Sequence, residues 1–353
     1  MSSQHQRERS TPKRRGRRFL VWLGAILAVL VGLMLLGALY ESAAEASDAR
    51  SYLPPGQMVD VGGYRLHINC VGTGSPTVVI DAGWGDWSAT WSSSVQPAVA
   101  NTTRVCTYDR AGYGYSDAGP LPRTTERFAP ELHTLLQEAH ISGPYVMVGH
   151  SLGGALARVF AHEYAAEVVG VVLIESMNPR TVDPSAGTMP QPTDSQSSGD
   201  WILTLPARVG LLRLLAGPLG MKSGLSTEVA DAYVAYSVTP RYVQAYLIDE
   251  GRGMPISLAQ ARAVQSLGAV PLIVLSRGRE VDQTHQDEQA ELLHLSSESQ
   301  QLFADRSGHN IQLDQPEAAA GAIVEMVERS RRASVKAAAP VAQQVGLPDA
   351  RAH

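Results

Sequence analysis

Ser151 is the residue of this chain best set for nucleophilic chemistry. It sits in Gly149-His150-Ser151-Leu152-Gly153, a G-x-S-x-G pattern with four apolar, β-prone residues before it (145–148) and a run of good helix formers after it. The order strand, sharp turn, helix would hold the serine backbone in a strained conformation with Oγ exposed, and the flanking glycines would remove side chains that collide. A glycine-rich strand-to-helix turn without chemistry has the same outline, so the reading depends on finding partners. A serine hydroxyl is a weak nucleophile at neutral pH. It needs a general base, an acid to orient the base, and donors for the oxyanion.

His309 is the expected base. It lies in Ser307-Gly308-His309-Asn310, a short polar turn between a hydrophobic segment and the final helical pattern. Of the ten histidines, His150 is inside the serine turn and His5 and His353 are near the chain ends. His67, His133, His140, His162, His285 and His294 fall on strand or helix patterns, where a solvated or core role is the usual explanation. No pair of histidines has metal-ligand spacing with a third ligand in view, so neither a metal nor another cofactor is expected. Three acids compete to orient the base. Glu175 directly follows the apolar run VVLI, whereas Glu280 and Asp282 lie in SRGREVD after PLIVL. Glu175 is the preferred one, and its bland alternative is a structural acid at the start of an insertion.

The positioning elements are legible as alternating strands and helices. Residues 58–61 and 64–70 read as a hairpin about Gly62-Gly63, and 77–81, 104–108, 145–148, 168–174 and 272–275 as further strands. Helical spacing appears at 125–139 and from Pro316 to about Arg332. Continuously apolar strands between helices predict a mostly parallel sheet covered on both faces. Residues 176–267 break the alternation: 179–199 are rich in Pro, Ser, Gly and Thr, and helical patterns follow at 201–215, 227–236, 240–248 and 258–267. Inserted there, they would form a helical cap over the serine. The core is then 56–175 with 268–333, and 334–353 reads as a disordered tail.

With 44% hydrophobic and 18% charged residues in 353, the bulk composition is that of a globular protein. Residues 1–18 carry +6 of charge, leaving −11 of the total −5 for the rest. The basic character belongs to the tail, which argues against a nucleic-acid surface. Residues 19–40 are 22 apolar residues without a charge, long enough to span a bilayer. With arginines before this run and Glu41, Glu45 and Asp48 after it, the positive-inside rule puts the N-terminus in the cytoplasm and the remainder outside. An uncleaved cell-membrane anchor is favoured, although the small-residue run 42–46 has the composition of a processing site. Residues 41–55 read as a linker. The two cysteines, Cys70 and Cys106, fit no zinc pattern; a pair of buried thiols is the plain reading, and an exported domain would permit a bridge.

From Met58 to Glu328 the chain resembles the α/β-hydrolase superfamily, in GHSLGG, in YDRAGYGYS after the fourth strand, in SGHNIQLDQPE around the histidine, and in the order serine, acid, histidine. The resemblance implies an α/β fold with a mostly parallel α/β-hydrolase sheet, helices on both faces and a helical cap insertion, here with one N-terminal transmembrane helix. It implies backbone oxyanion donors at Leu152 and at Trp84, although Ala82-Gly83 stands where the family usually has His-Gly. Asp109 and the glycines after it would hold a turn. In the family's sheet order the second and fourth strands are neighbours, which would bring Cys70 and Cys106 within bridging reach. The expected activity is that of a membrane-anchored serine hydrolase acting on a small-molecule or lipid-like ester through an acyl-enzyme. The same residues would serve an acyltransferase, an amidase or a peptidase, and a catalytically silent surface-binding module is the reading from another class.

Overall fold

The computed structural model describes residues 12–178, 199–221 and 224–344. Most of the loop expected at 179–199, the start of the basic tail and the last nine residues of the chain lie outside them. The element that comes first in the chain is α1 (Pro12–Ser51), an uninterrupted helix of 40 residues. Its apolar stretch is exposed along its length, and Gly16–Ser51 is long and apolar enough to cross a membrane.

Eight strands form one sheet among the described residues: β1 (Gln57–Asp60), β2 (Arg65–Val71), β3 (Thr77–Asp81), β4 (Val105–Tyr108), β5 (Tyr145–His150), β6 (Val168–Ile174), β7 (Leu272–Arg277) and β8 (Ser299–Ala304). Their order is β1-β2-β4-β3-β5-β6-β7-β8. β2 pairs antiparallel with β1 and β4, and every pairing from β4 to β8 is parallel. The inner strands β3 to β7 are mostly apolar and buried because both faces are covered, whereas the outer strands β1 (QMVD) and β8 (SQQLFA) are more polar and partly exposed. Along β5 to β7, Met147, Val171 and Val274 face a core shared with α4 (Thr125–Glu138) and α5 (Leu152–Glu163). Val146, Val148, Val172 and Ile273 face the opposite core, shared with α2 (Ala89–Ser92), α3 (Val95–Ala100), α12 (Ile311–Asp314) and α13 (Pro316–Gln344). Each such side chain, removed from water, contributes roughly 1.5–3 kcal/mol, so a charge in place of Val148 would break both the layer and the sheet.

Between β6 and β7 the chain forms α6 (Asp200–Arg208), α7 (Leu211–Leu215), α8 (Thr227–Ser237) and α9 (Pro240–Val243). A wider π-helical stretch (Gln244–Glu250) then runs straight into α10 (Gly251–Ala263). The expected single helix at 201–215 is two, split at Gly210, which takes φ +68°. These helices pack over the end of β3: Trp84 Nε1 donates to Tyr246 O (3.0 Å), and Tyr242 Oη donates to Gly85 O. Trp87 stacks on Tyr233, with ring centroids 5.6 Å apart.

Two stretches differ from the sequence expectation. Residues 41–51 continue α1 instead of forming a linker, because their acids have partners far along the chain. Arg213 on α7 pairs with Glu41 (2.8 Å) and Asp48 (2.6 Å), and Tyr236 Oη donates to Tyr52 O (2.9 Å). At the other end, α13 runs to Gln344, past the expected stop near Arg332. Cys70 and Cys106 lie directly opposite one another on β2 and β4 and are disulfide-bonded, with Cα atoms 4.0 Å apart.

Candidate active site

Ser151 falls between β5 and α5 with φ 53° and ψ −119°, a conformation that non-glycine residues rarely hold. The surrounding close packing fixes it. A Cβ at Gly149 would collide with the Gly153 backbone, and one at Gly153 with the carbonyls of Asp81 and Ala82. Ser151 N donates to Ile174 O (3.2 Å), and Ser151 O accepts from Met177 N (3.0 Å), so the end of β6 is stitched to the turn on either side of Glu175. Leu152 begins α5, and Gly83, one residue before Trp84, runs so close to the serine turn that a Cβ there would lie 2.9 Å from His150 Nδ1 and 3.3 Å from Ser151 Cβ. Neither Trp84 N nor Leu152 N donates to another protein group among the described residues. Two free N–H groups at a helix N-terminus and an adjoining loop are suited to receive a developing oxyanion.

His309 lies after β8, in a turn fixed by Asp314, whose Oδ2 accepts from Gly308 N (3.0 Å). His150, the residue before the serine, donates from Nε2 to His309 O (2.9 Å), and the two imidazoles sit 4.9 Å apart. Because a carbonyl only accepts, the His150 proton is on Nε2. Burial, reinforced by the neighbouring His309, holds the His150 pKa down to about 3. His150 is therefore neutral and joins the serine turn to the histidine turn. His309 and Ser151 side chains share no direct hydrogen bond. Loss of solvent pushes the His309 pKa down, the Glu175 carboxylate pushes it up, and Arg277 and His285 add to the fall, so the net direction is downward.

Of the three acids, only Glu175 is buried, at 3% exposure, and it occupies the left-handed region at φ 45° just past β6. Its Oε2 accepts from Arg277 N (2.7 Å) and its Oε1 is 2.5 Å from His285 Nε2. Glu175 reaches His309 through its charge rather than through a direct bond. Asp282 is exposed and serves the backbone instead, capping α11 (Gln283–Leu292) by accepting from His285 N at 2.8 Å. Glu280 is exposed, and its backbone carbonyl accepts from Arg277 (3.1 Å).

Sequence reasoning passed over two residues here. His285 is one of six histidines on strand or helix patterns, and nothing in its spacing links it to Glu175. Arg110 lay in the segment DRAGYGYS, where only Asp109 drew attention. Asp109 does hold a turn, accepting from Ser88 N (2.9 Å) and Tyr115 N (3.0 Å) and pairing with buried His67 (2.9 Å). Arg110 is buried and joins three regions. It pairs with Asp81 (2.5 Å) at the end of β3 and with Glu250 (2.9 Å) in the cap, and it donates to Ala82 O (2.6 Å) and Gly83 O (2.7 Å). It thus clamps the loop that presents Trp84 N. Burial raises the Asp81 pKa to about 6 against the pull of Arg110.

Sheet order, turn and loop placement define an α/β-hydrolase-fold protein, and the family model for the alpha/beta hydrolase fold matches residues 76–200. An uncharacterized protein of Schizosaccharomyces pombe is 25% identical over 299 residues, covering 73% of this chain and 53% of the relative. The chain thus spans about half the length of that relative. Among solved structures, the epoxide hydrolase CorEH aligns over 76% of this chain and 97% of its own, with 20% identity and a TM-score of 0.59. An esterase from Thermogutta terrifontis aligns over 78% of this chain and 99% of its own, with 21% identity and a TM-score of 0.56. At these identities the likeness is one of fold.

A cavity of about 710 Å³ lies away from Ser151, between α1 (Glu41, Glu45), the core (Arg123) and the cap (Arg208, Arg241). Among the described residues, no group of three or more His, Cys, Asp or Glu is arranged to hold a metal ion.

Proposed function

We propose that this chain is a membrane-anchored serine hydrolase that cleaves an ester. The carrying observation is the strained backbone of Ser151 at the strand-to-helix turn, with the His309 turn and buried Glu175 next to it. Ser151 Oγ attacks the ester carbonyl as His309 takes its proton. The tetrahedral oxyanion is received by the N–H groups of Trp84 and Leu152. His309 then returns the proton to the leaving alcohol, giving the acyl-enzyme, and activates water for the second half of the reaction. Glu175 holds negative charge beside the imidazolium that forms in both steps.

The serine nucleophile, where an epoxide hydrolase or dehalogenase of this fold would use a carboxylate, supports the ester reading. Residues 19–40 serve as the anchor, with the catalytic domain outside the cytoplasm. The Cys70–Cys106 bridge supports that side, since structural disulfides persist in oxidising compartments. The test is fluorophosphonate labelling of the wild type and Ser151→Ala, together with p-nitrophenyl esters of increasing chain length. Labelling and turnover lost in the variant support the reading, and wild-type turnover in Ser151→Ala overturns it.

A further inference from the structure

Among the described residues outside α1, exposed large apolar side chains are concentrated in one place: seven of the eleven lie between Trp201 and Leu219. On α6, Trp201, Ile202 and Leu203 are each more than half exposed, while Thr204 and Ala207 of the same helix are fully buried. On α7, Leu211, Leu214 and Leu215 face outward, and Leu219 follows at 63% exposure. Side chains of this size are the ones that should be inside, and a contiguous exposed apolar face marks an interaction site.

The way α1 leaves its apolar stretch indicates what covers this face. At 1.5 Å per residue, the 22 apolar residues 19–40 make a rod of about 33 Å, just over the hydrocarbon thickness of a bilayer. The cap touches the last turn of that rod. A Cβ at Gly37 would lie 2.5 Å from Val209 O, so this position must be glycine for the cap to approach, and the Tyr40 ring lies against Gly210. The residue after Gly210 is Leu211, the first exposed leucine of α7. One charged cluster at this level is paired within the protein: Arg213 is only 12% exposed and is held by both Glu41 and Asp48. The end of the apolar rod and the start of α7 are therefore at one height.

We propose that the apolar face of α6 and α7 is seated in the lipid interface of the bilayer that α1 enters, so that the cap rests on the membrane instead of standing off on a tether. This rests on α1 being the anchor. Tryptophan and leucine on a short helix are the residue types that enter the headgroup boundary. The seat would hold the cap, through Arg110–Glu250, in a fixed relation to the loop beside Ser151.

The test uses the full chain in phosphatidylcholine vesicles with an environment-sensitive fluorophore on single introduced cysteines; the native pair is bridged and does not label. Leu203→Cys and Leu214→Cys report on the cap, Ile26→Cys on α1, and exposed Gln286→Cys on the aqueous side. Spin-labelled phosphatidylcholine is the quencher. The expected result is blue-shifted emission that loses at least half its intensity at positions 203, 214 and 26, with no change at 286. Quenching at 26 with water-like emission at 203 and 214 overturns the seat and leaves the anchor standing. A blue shift at 203 and 214 without lipid quenching means that protein covers the face, and also overturns the proposal. No quenching at 26 overturns the anchor and the seat together.

Discussion

Glu175 Oε1 lies 2.5 Å from His285 Nε2, with Oε2 held by the Arg277 N–H at 2.7 Å. The carboxylate is thus locked by α11 and β7, and its charge acts on His309. An acid that stabilises the imidazolium should matter far more than its exposed neighbours. Glu175→Gln is expected to lower kcat by roughly two orders of magnitude, about what one charge a few ångströms from the imidazolium contributes at an effective dielectric of about 20, while Glu280→Gln and Asp282→Asn keep near-normal rates. Steady-state kinetics of the three variants on one p-nitrophenyl ester decide this, and a near-normal Glu175→Gln would move the role elsewhere.

His285 bonds Glu175 and also sits close enough to His309 to disfavour its protonated form. Its loss should lower kcat while leaving KM unchanged, because it orients charge that matters only as the imidazolium forms. His285→Asn, which can still donate to the carboxylate, should retain more activity than His285→Ala. A change confined to KM would show that the residue contributes to binding instead.

The pH profile follows from the direction of the His309 shift. A general base works only when neutral, so activity rises as pH climbs through its pKa. Since the net effect of desolvation, Glu175, Arg277 and His285 is downward from 6.5, the acid limb of kcat/KM should have an apparent midpoint below 6.5. Removing Glu175 takes away the one influence that raises it, so Glu175→Gln should move the limb to still lower pH. A midpoint above 6.5 in the wild type would contradict the arrangement.

Much of this was readable from the chain alone, and the exceptions share a cause. Buried strands announce themselves as apolar runs, and the serine turn is a local event whose glycines are adjacent in sequence. What the sequence hid were polar residues whose partners are distant. Glu41 and Asp48 look like solvated linker acids until Arg213, 172 and 165 residues away, is brought beside them. Arg110 finds Glu250 across 140 residues, and His285 finds Glu175 across 110. Helical or strand periodicity carries no information about such pairs, because they are set by how the cap folds back on the sheet. The π-helical widening at Gln244–Glu250 was equally hidden, and it is this stretch that carries Glu250.

The Arg110 cluster should be costly to break. Asp81, Arg110 and Glu250 are all nearly solvent-free, so Arg110→Met leaves two buried carboxylates without a counter-charge. Losing one partner of a buried pair costs about 3–5 kcal/mol, and chemical denaturation should show a loss of at least that size. Activity should fall further than stability explains, since the guanidinium also holds Ala82 O and Gly83 O beside Trp84 N. Denaturation midpoints measured alongside kcat separate the two effects.

The disulfide makes the final prediction. Cys70 and Cys106 enclose a separation of 36 residues that contains β3, the loop beside Ser151 and the short helices after it. Closing a loop of that length in the unfolded chain is worth about 4 kcal/mol on the chain-entropy account. The double variant Cys70→Ala/Cys106→Ala should therefore unfold at clearly lower denaturant, with an m-value somewhat above that of the wild type because the uncrosslinked denatured chain exposes more surface. Because the bridge joins two strands already paired in the sheet, the fold itself should survive, and the folded variant should still label with fluorophosphonate. Loss of labelling in a variant that remains folded would mean that the bridge also positions the loop after β3, and wild-type stability would mean that the sheet alone holds these strands in place.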